Sequence, residues 1–188
     1  VAWRDRGRRI APPSAAERHF LGTDTTSRDI LARLFYGTRI ALIFALAFTA
    51  CVYVIGITIG CAMGYFGGVF DLVFQRIIEI WSNIPFLYMV IIIFSVIPST
   101  VAVATQIGIL LLVMVLFSWT GMTYYMRTET YKEKSRDYIA SARVIGASNT
   151  RIIFRHIMPN VLSTLVTFMP FTVVAAISAI TALDFLGF

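Results

Sequence analysis

The chain has 188 residues and a formal net charge of +6; it is 58% hydrophobic and only 14% charged, proportions that exclude an ordinary soluble domain of this length. The charges are segregated, with no Asp, Glu, Lys or Arg in residues 40–70, 80–126 or 156–183. A crossing takes about 20 apolar residues, so these runs hold one, two and one crossings, and an all-α, polytopic membrane protein with about four spanning helices is expected.

Residues 1–19 read as an extended basic segment, with Arg4, Arg6, Arg8 and Arg9 ahead of Pro12-Pro13. The arginines lack interleaved aromatic residues, which indicates a solvated segment and no nucleic-acid partner. The segment also lacks the apolar core of a signal peptide. Residues 20–38 come next. Gly22 makes a turn, Asp24 or Thr26 can cap, and Ile30, Leu31, Leu34 and Phe35 form an apolar face opposite Arg28, Asp29 and Arg33. An amphipathic helix lying along the membrane surface is expected there.

The first span is expected from about Arg39 to Met63. It carries Gly56, Gly60 and Gly64 at intervals of four, a ridge without side chains that lets another helix approach closely. Gly67-Gly68 reads as a turn. An amphipathic helix follows, with Asp71, Gln75, Arg76 and Glu79 three to four apart, so that Arg76 and Glu79 can pair. Pro85 is expected to kink the second span, which ends near Pro98. The third span covers about Thr105 to Met126 and the fourth about Pro159 to Leu183, with Pro170 expected to bend it. Cys51 and Cys61, ten residues apart in one helix, lie about 15 Å from each other, too far for a disulfide. Those two cysteines with His19 and His156 do not make a metal site.

Between the third and fourth spans lies a polar, basic insert, residues 127–158. Its centre reads as two short helices around a hinge: Tyr138, Ile139, Ala142 and Ile145 share one face, Gly146 interrupts, and Ser148 or Asn149 can cap a second helix. In that second helix Ile152, Ile153 and Ile157 form an apolar stripe, while Arg151 and Arg155 share the wetter side. Pro159 is expected to close the insert, since a proline suits the first turn of a new helix and biases Met158 away from helix.

Some chemistry is missing. There is no Gly-Lys pair and hence no Walker-type phosphate loop, no His-Glu-x-x-His and no Gly-x-Ser-x-Gly. Three charge-free runs also argue against a proton-coupled carrier. The energy for any solute movement has to come from elsewhere, and no cofactor is expected.

Two motifs resemble one family. Ala140-Ser141-Ala142, then Gly146 and Met158-Pro159, resemble the coupling loop of ATP-binding-cassette importer permeases, which runs Glu-Ala-Ala, three residues, Gly, and later Leu-Pro. Ala140 stands in place of the glutamate and His156 in place of an isoleucine; both departures are similar to the peptide-transporting branch. Leu21-Gly22-Thr23-Asp24, Arg28-Asp29 and Tyr36-Gly37 resemble the C-type permease of dipeptide and oligopeptide importers, and residues 74–82 look like its oligopeptide and microcin-type members. Residues 183–188 also resemble that family, in which a short loop and one more helix follow, so the chain is expected to be a fragment.

The resemblance implies a type I importer transmembrane domain over 39–188, in a bacterial inner membrane, with 20–38 on the outer face. It implies a non-catalytic permease subunit for peptides or peptide-like solutes, with nickel as another solute of related permeases. The implied partners are cytoplasmic ATPase subunits, a second homologous permease, an extracytoplasmic solute-binding protein and the lipid bilayer. Ala140, Ser141, Ala142, Ile145, Gly146, Ala147, Ser148, Met158 and Pro159 would couple to the ATPase, and Ile139 and Ile153 would help secure the loop. A passive channel or a secondary carrier is the alternative. Charge alone is indecisive on orientation, with eight basic residues on each side. Counting only those within about 20 residues of a span tilts the balance toward a cytoplasmic insert.

Overall fold

The computed structural model describes residues 11–14, 19–98 and 100–186. The expected basic run Arg4 to Arg9 and the end of the 183–188 motif lie outside the described residues. The helices are α1 (Ile30–Phe66), α2 (Gly68–Ser82), α3 (Phe86–Val96), α4 (Val103–Lys134), α5 (Asp137–Val144), α6 (Asn149–Arg151), a π-helical segment (Ile152–Ile157) and α7 (Met158–Phe185). By length and hydropathy α1, α4 and the Leu165–Phe185 stretch of α7 can each cross a bilayer, and α2 with α3, bent by 67° at their break, passes the same test as a pair, which makes four crossings if the pair is one span.

The chain divides into two compact units, residues 1–44 and 45–188. In the first, residues 20–29 fold into turns, and no separate helix covers 20–38. Gly22 and Ser27 take positive φ, and Asp24 Oδ1 captures the backbone N–H groups of Thr26 and Arg28, both at 2.9 Å. A carboxylate that takes these donors holds the chain in a turn and keeps it out of a helix. The helix cap is neither Asp24 nor Thr26 but Asp29, whose Oδ1 accepts from Leu31 N at 2.8 Å and Ala32 N at 3.3 Å. From Ile30 no proline or turn intervenes, and α1 runs unbroken to Phe66.

In the second unit the helix breaks follow local chemistry. Gly67 and Gly68, at φ 65° and 57°, end α1 and start α2. Pro85 has no N–H and precedes α3 in an extended conformation, so the chain bends between Ser82 and Phe86. Asn83 covers two carbonyls left over at this break, through its N–H to Ile80 O at 3.3 Å and its Nδ2 to Glu79 O at 2.7 Å. Arg76 and Glu79 pair at 2.5 Å. The helix that carries the third span runs on past Met126: α4 continues two more turns to Lys134, because residues 127–134 contain no helix breaker.

The largest difference lies at Pro159. Met158 is helical (φ −54°, ψ −46°), and the chain passes into α7 with Pro159 in its first turn. The preceding six residues form π turns, whose wider spacing accommodates a ring that would otherwise collide with the carbonyl four residues back. Asn160 Nδ2 also donates to His156 O at 2.7 Å.

Candidate functional site

The segment around Gly146 is a small module built on the ends of the spans. α5 closes with two backbone bonds, Gly146 N to Arg143 O at 2.9 Å and Ala147 N to Ala142 O at 3.0 Å, the pairing of a Schellman stop. Gly146 stands at φ 81°, and a Cβ added there would meet nothing within 4 Å, so backbone conformation alone demands glycine. The next helical turn is capped by Ser148, whose side chain accepts from Arg151 N at 3.4 Å.

The inner side of the module is fully packed. Ile139, Ile152 and Ile157 are 0% exposed and Ala142 is buried; they form one cluster with Cys61, Tyr65, Met126, Val161 and Leu165. Ile152 and Ile157, five residues apart, would diverge on an α-helix, and the π turns bring both to the same core. Ile153 packs against the cluster, partly buried.

Tyr65 organises this junction. Its hydroxyl donates to Asn149 Oδ1 at 2.7 Å, its carbonyl accepts from Lys134 Nζ, and the Arg143 guanidinium lies 5.5 Å from its ring centre. On the other flank the Tyr138 hydroxyl donates to Glu133 Oε2 at 2.5 Å and accepts from Asn160 Nδ2 at 3.1 Å. Burial, then the Glu133 carboxylate, push the Tyr138 phenol above its ordinary value.

The outer side is different. Val144 is 90% and Ile145 85% exposed at the tip. Ile145 therefore leaves the face it was expected to share with Ile139 and Ala142, because α5 ends one residue before it. Ala140, Ser141, Gly146, Ser148 and Pro159 are exposed, while Ala147 and Met158 are half-buried. A groove of about 560 Å³ beside the tip is lined by Tyr138, Ser141, Ala142, Ile145, Ala147, Arg151, Arg155 and His156. Among the described residues no group of three His, Cys, Asp or Glu could hold a metal. The tip is thus apolar and flanked by Arg143, Arg151 and Arg155, above a base packed into the buried cluster.

The glycine ridge faces α4. A Cβ on Gly56 would meet Met122 Cγ at 2.6 Å, one on Gly60 the Thr123 carbonyl oxygen at 2.5 Å, and one on Gly64 the Arg127 carbonyl oxygen at 2.7 Å. The ridge thus seats α1 on the helix that leads into the module. Sequence reasoning missed Tyr65, Lys134 and Asn149 as supports, and missed the pairing of Asp71 with Arg127. The available signal was a carboxylate and an arginine at the ends of two neighbouring apolar runs.

The family described as binding-protein-dependent transport system inner membrane component matches residues 56–188. The chain is 42% identical over 170 residues to the peptidoglycan transport system permease protein YejE of Agrobacterium fabrum, covering 90% of this chain and 43% of that one. It is 41% identical over 178 residues to the inner membrane ABC transporter permease protein YejE of Escherichia coli, with 95% and 50% covered. To the dipeptide transport system permease protein DppC of Bacillus subtilis it is 33% identical over 176 residues, with 94% and 52% covered. The chain spans about half the length of these curated relatives.

Proposed function

Because the chain belongs to the family of binding-protein-dependent transport system inner membrane components, we propose that it forms part of the permease of an ATP-driven importer for peptides or peptide-like solutes. The peptide assignment is supported by relatives named for dipeptide and oligopeptide transport. ATP hydrolysis belongs to a separate chain. The module from Asp137 to Pro159 takes up force from that ATPase: as two ATPase subunits close on nucleotide, the seated tip moves with them and tilts the spans between inward-open and outward-open arrangements. A second, related permease completes the path, and a solute-binding protein delivers cargo on the outer side near residues 20–38.

One observation carries this reading. Val144 and Ile145 stand 90% and 85% exposed on a module whose opposite side is buried against the spans. Two large apolar side chains held out on a rigid turn are what a partner's groove would cover.

Gly146→Asp tests it. The variant is expected to insert normally and to lose transport-coupled ATP hydrolysis, since a side chain strains the positive-φ hinge and a charge at the tip opposes burial in the partner. Normal uptake with the ATPase still bound at full strength would overturn the reading.

A further inference from the structure

Both halves of the bent pair, α2 and α3, pack on α4. About two turns before the end of α4, Arg127 holds Asp71 of α2 in a two-pronged pair, Nε to Oδ1 at 2.5 Å and Nη2 to Oδ2 at 2.6 Å. Tyr131 donates its hydroxyl to the same Oδ2 at 2.9 Å, and Gln75 Nε2 adds a fourth bond at 3.1 Å. The Asp71 side chain is only 7% exposed. Further along, a second contact joins the same helices: Trp81 Nε1 donates to Leu116 O at 2.8 Å, and its ring stacks on Phe117 at 5.5 Å.

Apolar contacts between helices permit sliding, whereas a two-pronged guanidinium–carboxylate pair fixes angle as well as distance. The pair also sits at a telling place. α4 passes through Ser135 and Arg136 directly into α5, so a displacement of the hinged module acts on the stretch of α4 that carries Arg127. We propose that Asp71 and Arg127 are positioning residues that carry movement of the 137–159 module into the bent α2–α3 span, an inference that rests on the module receiving force from an ATPase. Tyr131 and Gln75 hold the carboxylate in register for the fork, and the Trp81 contact is the fulcrum near the bend.

The test uses the complete transporter with its ATPase in proteoliposomes, a tryptic casein digest as the probe, and mass spectrometry of imported peptides beside the ATP consumed. Asp71→Asn and Arg127→Met are expected to keep ATP hydrolysis within about twofold of wild type while raising ATP consumed per peptide about tenfold. Asp71→Glu, which keeps both oxygens and the charge, is expected to return the ratio to within about threefold of wild type. An unchanged ratio in Asp71→Asn overturns the proposal, as does a parallel fall of hydrolysis and import, which marks a general structural loss. If Asp71→Asn does not accumulate in the membrane, Tyr131→Phe takes its place. It leaves the ion pair intact and is expected to raise the ratio about fivefold; no rise overturns the proposal. A wild-type complex that imports no peptide with ATP brings down the functional reading instead, and this inference with it, so the two failures are told apart.

Discussion

The Tyr65 hydroxyl donates to Asn149 Oδ1 at 2.7 Å across 84 residues of sequence, tying the end of α1 to the first turn after the glycine hinge. Tyr65 is 4% exposed, so this bond and the packed ring hold the module to the spans from the inside. Tyr65→Phe keeps the ring and leaves the exposed Asn149 to water, and it is expected to cost about 1 kcal/mol. Tyr65→Ala also opens a cavity and is expected to cost about 3–5 kcal/mol. Hydrogen exchange should show faster exchange over residues 149–157 in the first variant and over the whole module in the second.

The glycine ridge makes a second, position-specific prediction. Gly60→Ala places a Cβ 2.5 Å from the Thr123 carbonyl oxygen and 2.6 Å from Met126 Cβ, so α1 and α4 have to separate at a cost of about 1–3 kcal/mol. Gly108, with nothing within 4 Å, serves as the control, and Gly108→Ala is expected to be neutral or to stabilise by up to about 1 kcal/mol. Thermal unfolding of the two variants in detergent decides it. Equal midpoints would refute close packing at the ridge.

The exposed tip separates stability from partner binding. Ile145→Ser removes a side chain that is 85% exposed, so folding stability is expected to stay within about 0.5 kcal/mol of wild type. Affinity for the ATPase, measured on the detergent-purified permease, is expected to fall about tenfold or more. Val144→Ser should act in the same direction.

The first unit carries a pH dependence outside the spans. The Arg28 backbone N–H, followed by the Thr26 hydroxyl, holds the Asp24 carboxyl well below the ordinary carboxylate range. The folded value lies below the unfolded one, so the turn's stabilisation is present above about pH 4 and is lost as pH falls through the folded value. Following the Arg28 amide resonance in micelles from about pH 6 down to a pH well below the ordinary carboxylate range should show this transition in wild type. Asp24→Asn should abolish it, and a transition of the same size in that variant would exclude Asp24 as its source.

Much of the architecture was readable residue by residue because the forces that set it act over a few positions. A bilayer rejects charge, so the charge-free runs mark the spans. Gly67-Gly68, Pro85 and Gly146 break helices through their own backbone sterics, and the structure bends at each. The same logic misread two places where a local rule met a competitor. Residues 20–38 have the apolar period of a surface helix, but Asp24 takes the backbone donors that a helix would use. Pro159 carries the usual sign of a helix boundary, yet the buried Ile152 and Ile157 hold the chain in π turns that carry it through.

By itself the sequence determined which stretches are apolar enough to span a membrane, where the chain must turn, and that a glycine-hinged module stands between two of those stretches, since hydration of charge and backbone sterics are properties of the residues themselves. Only the tertiary structure decided what the module rests on. The bond from Tyr65 to Asn149 and the fork from Arg127 to Asp71 join residues 84 and 56 apart. No periodicity encodes such a pairing, which exists only once α1 lies against the module and α2 against α4.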